Sequence, residues 1–188
     1  MKKSLSALLS QSRPFTFAAA GFLFGVLLFA FLGYDAFGQM PPPLASAFAF
    51  SRPALALIAD FAGEAKLFLL MALLSLALKN PLPALLLLAL RGLYFGLSAS
   101  YLYGAAPLTL YFAYTLLTAA VLVAYAAVAD AALVFLSKEK RAEKRPEAQK
   151  ETQKQALSLF GFTFFYFTGI IFLLVVIRNL VYLLLLSR

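Results

Sequence analysis

Apolar residues in this chain come in long blocks, separated by short breaks of proline, glycine or charge. A helix that crosses hydrocarbon needs about 20 mainly apolar residues. Residues 15–33, FTFAAAGFLFGVLLFAFLG, supply one with no charge inside it. Lys2, Lys3 and Arg13 precede it, a pattern that also opens signal peptides. This run is longer than the usual signal core and no A-x-A site follows closely, so a retained helix is expected. A second span, 62–78, reaches crossing length only if Phe61 to Lys66 contribute. It ends at Lys79-Asn80-Pro81-Leu82-Pro83, where two prolines stop helix propagation. A third runs over 84–103, through Arg91, to the short turn Gly104-Ala105-Ala106-Pro107. The fourth, 108–137, carries Asp130 and would be roughly 45 Å long at 1.5 Å per residue. The fifth covers about 156–178.

Two stretches break this pattern. In 34–63, Asp35, Gln39 and Pro41-Pro42-Pro43 interrupt any helix, and Arg52-Pro53 divides LASAFAF from ALALIADFA. Each piece is too short to cross, so an interfacial or re-entrant segment is expected over 43–60. Residues 138–154, KEKRAEKRPEAQKETQK, are strongly polar. Glu139, Glu143, Glu147 and Glu151 recur every four residues among lysines and arginines, which suits i,i+4 pairing apart from Pro146.

Composition sharpens the class. The chain is 63% hydrophobic and 13% charged, against roughly 45–50% and about 25% in soluble domains. A water-soluble fold of 188 residues could not hide that much apolar surface. The expectation is an all-α integral membrane protein, a single membrane domain over 1–188 made of five transmembrane helices. With no cysteine and no histidine, thiolate and imidazole ligands, disulfides and Cys or His nucleophiles are excluded. Eight carboxylates leave little for a metal cage or a catalytic carboxylate pair, so neither cofactor nor enzyme activity is expected.

The net charge of +8 reads as topology. With the N-terminus cytosolic, residues 1–14, the Lys79 turn and 138–154 lie inside and hold eleven of the sixteen basic residues. The outside loop 34–63 keeps only Arg52. A crossing by 43–60 would move the seven basic residues of 138–154 outside, against the positive-inside bias. The C-terminus is therefore expected outside, and the basic loop against anionic membrane lipid headgroups. Four interleaved glutamates break its positive field, so nucleic acid is not an expected partner.

Charges at membrane depth are costly and usually paired. Arg91 lies about eight residues from the inner end of its span and Asp130 about seven, on antiparallel neighbours, so the two are expected to pair. Asp60, Glu64, Lys66 and Arg178 are expected to form a polar rim at the outer face. Gly21 and Gly25 are four apart, as are Gly92 and Gly96, a spacing that lets helices approach closely. Internal packing is its first use and homo-oligomerisation its second. Tyrosines 94, 101, 103, 111 and 114 gather near the outer turn, as an aromatic belt would.

The middle of the chain, from Lys66 through LFLLMALLSLALKNPLPALLLLALRGLYFGLSASYLYG, resembles the core of the stage II sporulation protein M family. Lys66, Pro81, Arg91-Gly92 and Gly96 are the matching positions. Length, five helices and a basic loop before the last helix agree in layout. The entry to the fourth helix departs, with only Gly104-Ala105-Ala106-Pro107-Leu108-Thr109-Leu110 where the family has a second Gly-rich turn. The resemblance implies a non-enzymatic scaffold in a bacterial cytoplasmic membrane. It would assemble membrane-anchored peptidoglycan hydrolases, a transglycosylase and an amidase, during forespore engulfment. The alternative is the membrane substrate-binding subunit of a small-molecule, vitamin-type importer.

Overall fold

The computed structural model describes residues 13–33, 53–142 and 149–186. Every element among them is a helix: α1 (Arg13–Leu32), α2 (Pro53–Ala77), α3 (Leu82–Ala105), α4 (Leu108–Ala142) and α5 (Gln149–Leu186). Four of the five, all but α2, are long and apolar enough to cross a membrane.

Proline and a few side-chain bonds set the boundaries. Pro53 opens α2 at the first helical position, where a missing N–H costs nothing and a fixed φ helps. Lys79 closes the reversal after α2 with a left-handed φ of 48°. The Leu82 amide then donates to Asn80 Oδ1 at 3.0 Å, satisfying one open donor of the first α3 turn. Pro107 forces Ala106 into an extended conformation (φ −128°, ψ 159°), which ends α3 and allows α4 to restart at once.

Two expected boundaries change. Residues 53–63 belong to α2, so Arg52-Pro53 starts a helix and does not divide two short ones. The rest of the expected interfacial segment, 34–52, lies outside the described residues. The basic segment is largely helical: α4 runs on to Ala142 and α5 begins at Gln149, leaving only 143–148 outside the described residues. At 35 and 38 residues these helices are roughly 52 and 57 Å long, well beyond a hydrocarbon core of about 30 Å.

The tightest contact is α1 against α3, built from the two glycine pairs. Pro14, Ala18, Gly21 and Gly25 form the buried stripe of α1. A methyl added to Gly21 would strike the Ala89 carbonyl, and one on Gly25 the Leu93 carbonyl. From the other side, Gly92 faces the Ala18 carbonyl and Gly96 that of Phe22. The expected close packing is present, and it is intramolecular. The central core joins all five helices through residues such as Ala18, Phe68, Leu88, Val128 and Val175.

Candidate functional site

The centre of the bundle holds four ionisable side chains from three helices. Asp60 and Glu64 sit one turn apart on α2 and share a face with Leu57, Phe61, Phe68 and Met71, which pack on the core. Arg91 comes from α3 and forms an ion pair with Glu64 through Nη2 and Oε1. Arg178 comes from α5. Its Nη2 donates to Asp60 Oδ1 at 2.6 Å, and its Nη1 reaches Glu64 Oε1 at 3.4 Å. Asn179 Nδ2 donates to the second Asp60 oxygen at 2.9 Å. From α4, the Tyr125 hydroxyl lies 2.6 Å from the Glu64 carbonyl oxygen and 3.0 Å from its Oε2, so its proton serves either acceptor. Glu64, Arg91 and Arg178 are 5%, 9% and 1% exposed. Two carboxylates and two guanidiniums in such surroundings cancel each other's charge, which burial requires.

The expected Arg91–Asp130 pair is not formed. Arg91 lies 14 residues before the end of α3, which places it level with about residue 122 of α4 across the short turn. Asp130 is roughly 12 Å further along the axis, half-buried and in no ion pair among the described residues. Counting from the far ends misled because α4 outruns α3 by eleven residues. Asp60, Glu64 and Arg178 do come together, as the expected grouping has it, but inside the bundle and not as an exposed rim. Since α2 begins at Pro53 and α5 continues to Leu186, all three fall inside their helices. Lys66 alone of that group is exposed and lies apart from the cluster.

Sequence reasoning missed Tyr125 and Asn179, and it missed Glu64 as the partner of Arg91. Asp60 and Glu64 four residues apart, within an apolar run, was the readable signal for a shared inward face. A tyrosine at mid-span, far from either interface, was the signal for Tyr125. Of the tyrosines expected near the outer turn, Tyr103 is exposed and packs edge-on against Tyr111. Tyr114, by contrast, is 1% exposed and stacks on Tyr182.

Beside the cluster a cleft of about 540 Å³ separates α2 from α3. Ala59, Gly63 and Leu67 form one wall, Leu87 and Leu90 the other, and Glu64, Arg91, Tyr94 and Tyr125 the floor. The Arg91 guanidinium carbon stands 5.8 Å from the Tyr94 ring centre, a cation–π arrangement. Gly63 has nothing within 4 Å of where a Cβ would be, so this wall leaves the α2 backbone open. Among the described residues no group of three or more acidic side chains could hold a metal ion.

These features define an all-helical membrane protein with a neutral ionic cluster at its centre. No family model matches the chain, and no curated protein or solved structure matches it.

Proposed function

We propose that this protein is a non-enzymatic scaffold of the bacterial cytoplasmic membrane, similar to the stage II sporulation protein M family. It gathers membrane-anchored peptidoglycan hydrolases during forespore engulfment. The observation that carries this reading is the closure of the ionic cluster. Asp60, Glu64, Arg91 and Arg178 bind one another, which suits a part that fixes helix positions more than one that must bind and release a charged solute. The outward faces suit lateral partners: Phe162 and Phe165 on α5 are 70% and 75% exposed, and Gly161 and Gly169 of that helix are open.

In this reading α2 is the fifth crossing. Its 25 residues give about 37 Å, enough for the hydrocarbon, and Arg91 and Arg178 neutralise its two carboxylates. The N-terminus is cytosolic and the C-terminus outside. One observation favours the importer subunit as a second reading: the α2–α3 cleft has small-molecule volume and reaches Arg91, Glu64 and Tyr94.

Affinity capture of the tagged protein from its native membrane in mild detergent, read by mass spectrometry, separates the two. Single-anchor cell-wall hydrolases are the expected companions. An ATPase pair with a coupling membrane subunit would replace the scaffold with the importer.

A further inference from the structure

Two features of the α2–α3 cleft point to what fills it. The first is the direction of its mouth. Gly63 and Leu67 on α2 and Leu90 on α3 line the cleft and are exposed, Leu67 at 40% and Leu90 at 59%. With α2 as a crossing helix, the reading on which this inference rests, that mouth opens sideways onto lipid chains and not onto water. The second feature is an excess of donors on the floor. Glu64 Oε1 accepts from Arg91 and Arg178, and Glu64 Oε2 lies within reach of the Tyr125 hydroxyl. The two Asp60 oxygens accept from Arg178 and Asn179. Every carboxylate oxygen therefore has a donor. Arg91, by contrast, donates through Nη2 to Glu64 and to no other acceptor among the described residues. The rest of its N–H fork is unused.

Guanidinium donors without an acceptor are costly, the more so in hydrocarbon. The leucine and glycine walls give a water molecule few of the polar partners that would hold it. What completes the site is an acceptor carried on an apolar body. That acceptor is uncharged, because Asp60 and Glu64 already balance Arg91 and Arg178. A carboxylate, phosphate or ammonium head would add a charge with nothing to cancel it. We propose that the α2–α3 cleft binds one lipid with an uncharged carbonyl head, taken in from the bilayer. Its carbonyl oxygen accepts from Arg91, and its chain lies along Gly63, Leu67 and Leu90. The volume, about 540 Å³, falls in the usual range of ligand pockets, about 300–1,000 Å³. Two kinds of lipid supply this chemistry, a diacylglycerol and an isoprenoid quinone. The site serves a scaffold and an importer subunit alike.

Gly63 offers a way to close the cleft without disturbing the fold, since nothing lies within 4 Å of where its Cβ would be. Gly63→Phe fills the mouth, and Gly169→Phe, at an equally open position on α5, is the control. Delipidated protein in dodecyl maltoside is titrated with dioleoylglycerol, a short-chain menaquinone, oleate or octadecane and read by native mass spectrometry. One equivalent of dioleoylglycerol or of menaquinone is expected on the unsubstituted protein and on Gly169→Phe. Its affinity for Gly63→Phe should be lower by at least about tenfold. Whichever of the two is retained names the source. Retention of neither overturns the proposal, and equal retention by Gly63→Phe means annular lipid only and overturns it too. Oleate or octadecane held as tightly as the carbonyl lipids overturns the uncharged acceptor. On the unsubstituted protein, the carbonyl stretch of the retained lipid, isotope-labelled, should move to lower frequency on binding. An unmoved band overturns the hydrogen bond to Arg91. The crossing of α2 is tested apart from the ligand, with Gly63→Cys as the single thiol of the chain in sealed vesicles. It should stay silent toward a membrane-impermeant maleimide. Labelling there removes lateral entry and the proposal with it, whereas lost lipid binding at an unlabelled position 63 overturns the carbonyl site and leaves α2 a crossing helix.

Discussion

The energetic weight of the ionic cluster rests on Glu64, which meets Arg91, Arg178 and Tyr125 at once. Removing one member of a buried pair strands the other, at about 3–5 kcal/mol. Replacing both by apolar residues of similar volume is often neutral. Glu64→Leu and Arg91→Leu should therefore each lower unfolding stability in detergent by about that amount, and the double variant by much less than the sum. The Asp60–Arg178 pair remains in the double variant and keeps the site neutral. Additive losses in a double-mutant cycle would show that Arg91 and Glu64 do not depend on each other. Asp130→Asn, at a half-buried position outside the cluster, should cost under about 1 kcal/mol. Arg178→Ala should cost as much as Arg91→Ala, since Arg178 is the more deeply buried of the two. The chemistry of these side chains was legible in the sequence, because each is an ionisable group in an apolar run. The grouping of Asp60, Glu64 and Arg178 was legible as well, but the pairing of Arg91 with Glu64 was not. It depends on where helices begin and end, and an error of nine residues at the start of α2 carries Glu64 from the rim to the middle.

At the scale of the element, glycine placement was the most readable feature. Gly21, Gly25, Gly92 and Gly96 mark two helix faces that meet backbone to backbone, and the spacing alone named both faces. Whether they would meet each other or another copy could not be read, since a stripe of small residues fits either use. Gly92→Ala forces its methyl against the Ala18 carbonyl, which cannot swing aside as a flexible side chain could. A loss of about 1–3 kcal/mol is expected, with separation of α1 from α3. Gly169→Ala on α5 meets nothing within 4 Å and should be neutral or stabilising by up to about 1 kcal/mol, from helix propensity alone. Thermal unfolding of the two variants in the same detergent checks the contrast. Equal losses would mean that the α1–α3 contact is loose enough to absorb a methyl group. Helix ends were less legible than helix faces. Pro53 reads equally as a break or as a first residue, and only the inward face of α2 decides between them.

For the whole molecule, the arrangement in the membrane rests on the asymmetry of lysine and arginine. Among the described residues, α1 ends at Leu32 and α2 begins at Pro53, so the number of crossings turns on whether 34–52 stay on one side. A five-crossing chain puts positions 46 and 148 on opposite faces. A sixth crossing through 43–52 would have to use Arg52 and the residues just before α2, and it would carry the seven basic residues of 138–154 outward against the positive-inside bias. The long α4 and α5 add a physical reason on the same side. In a five-crossing arrangement both helices would overrun the hydrocarbon at their shared end, where Lys138, Lys140, Arg141, Lys150 and Lys154 lie. Such an end gains from an anionic headgroup layer by about 1 kcal/mol per basic residue near the surface. Single cysteines at 46 and 148 in the cysteine-free chain should therefore label from opposite sides of intact cells or oriented vesicles, 46 from outside and 148 from the cytosol. Labelling of 46 from the cytosol, or of 148 from outside, overturns the five-crossing arrangement. It would also turn the α3–α4 end of the bundle toward the opposite compartment.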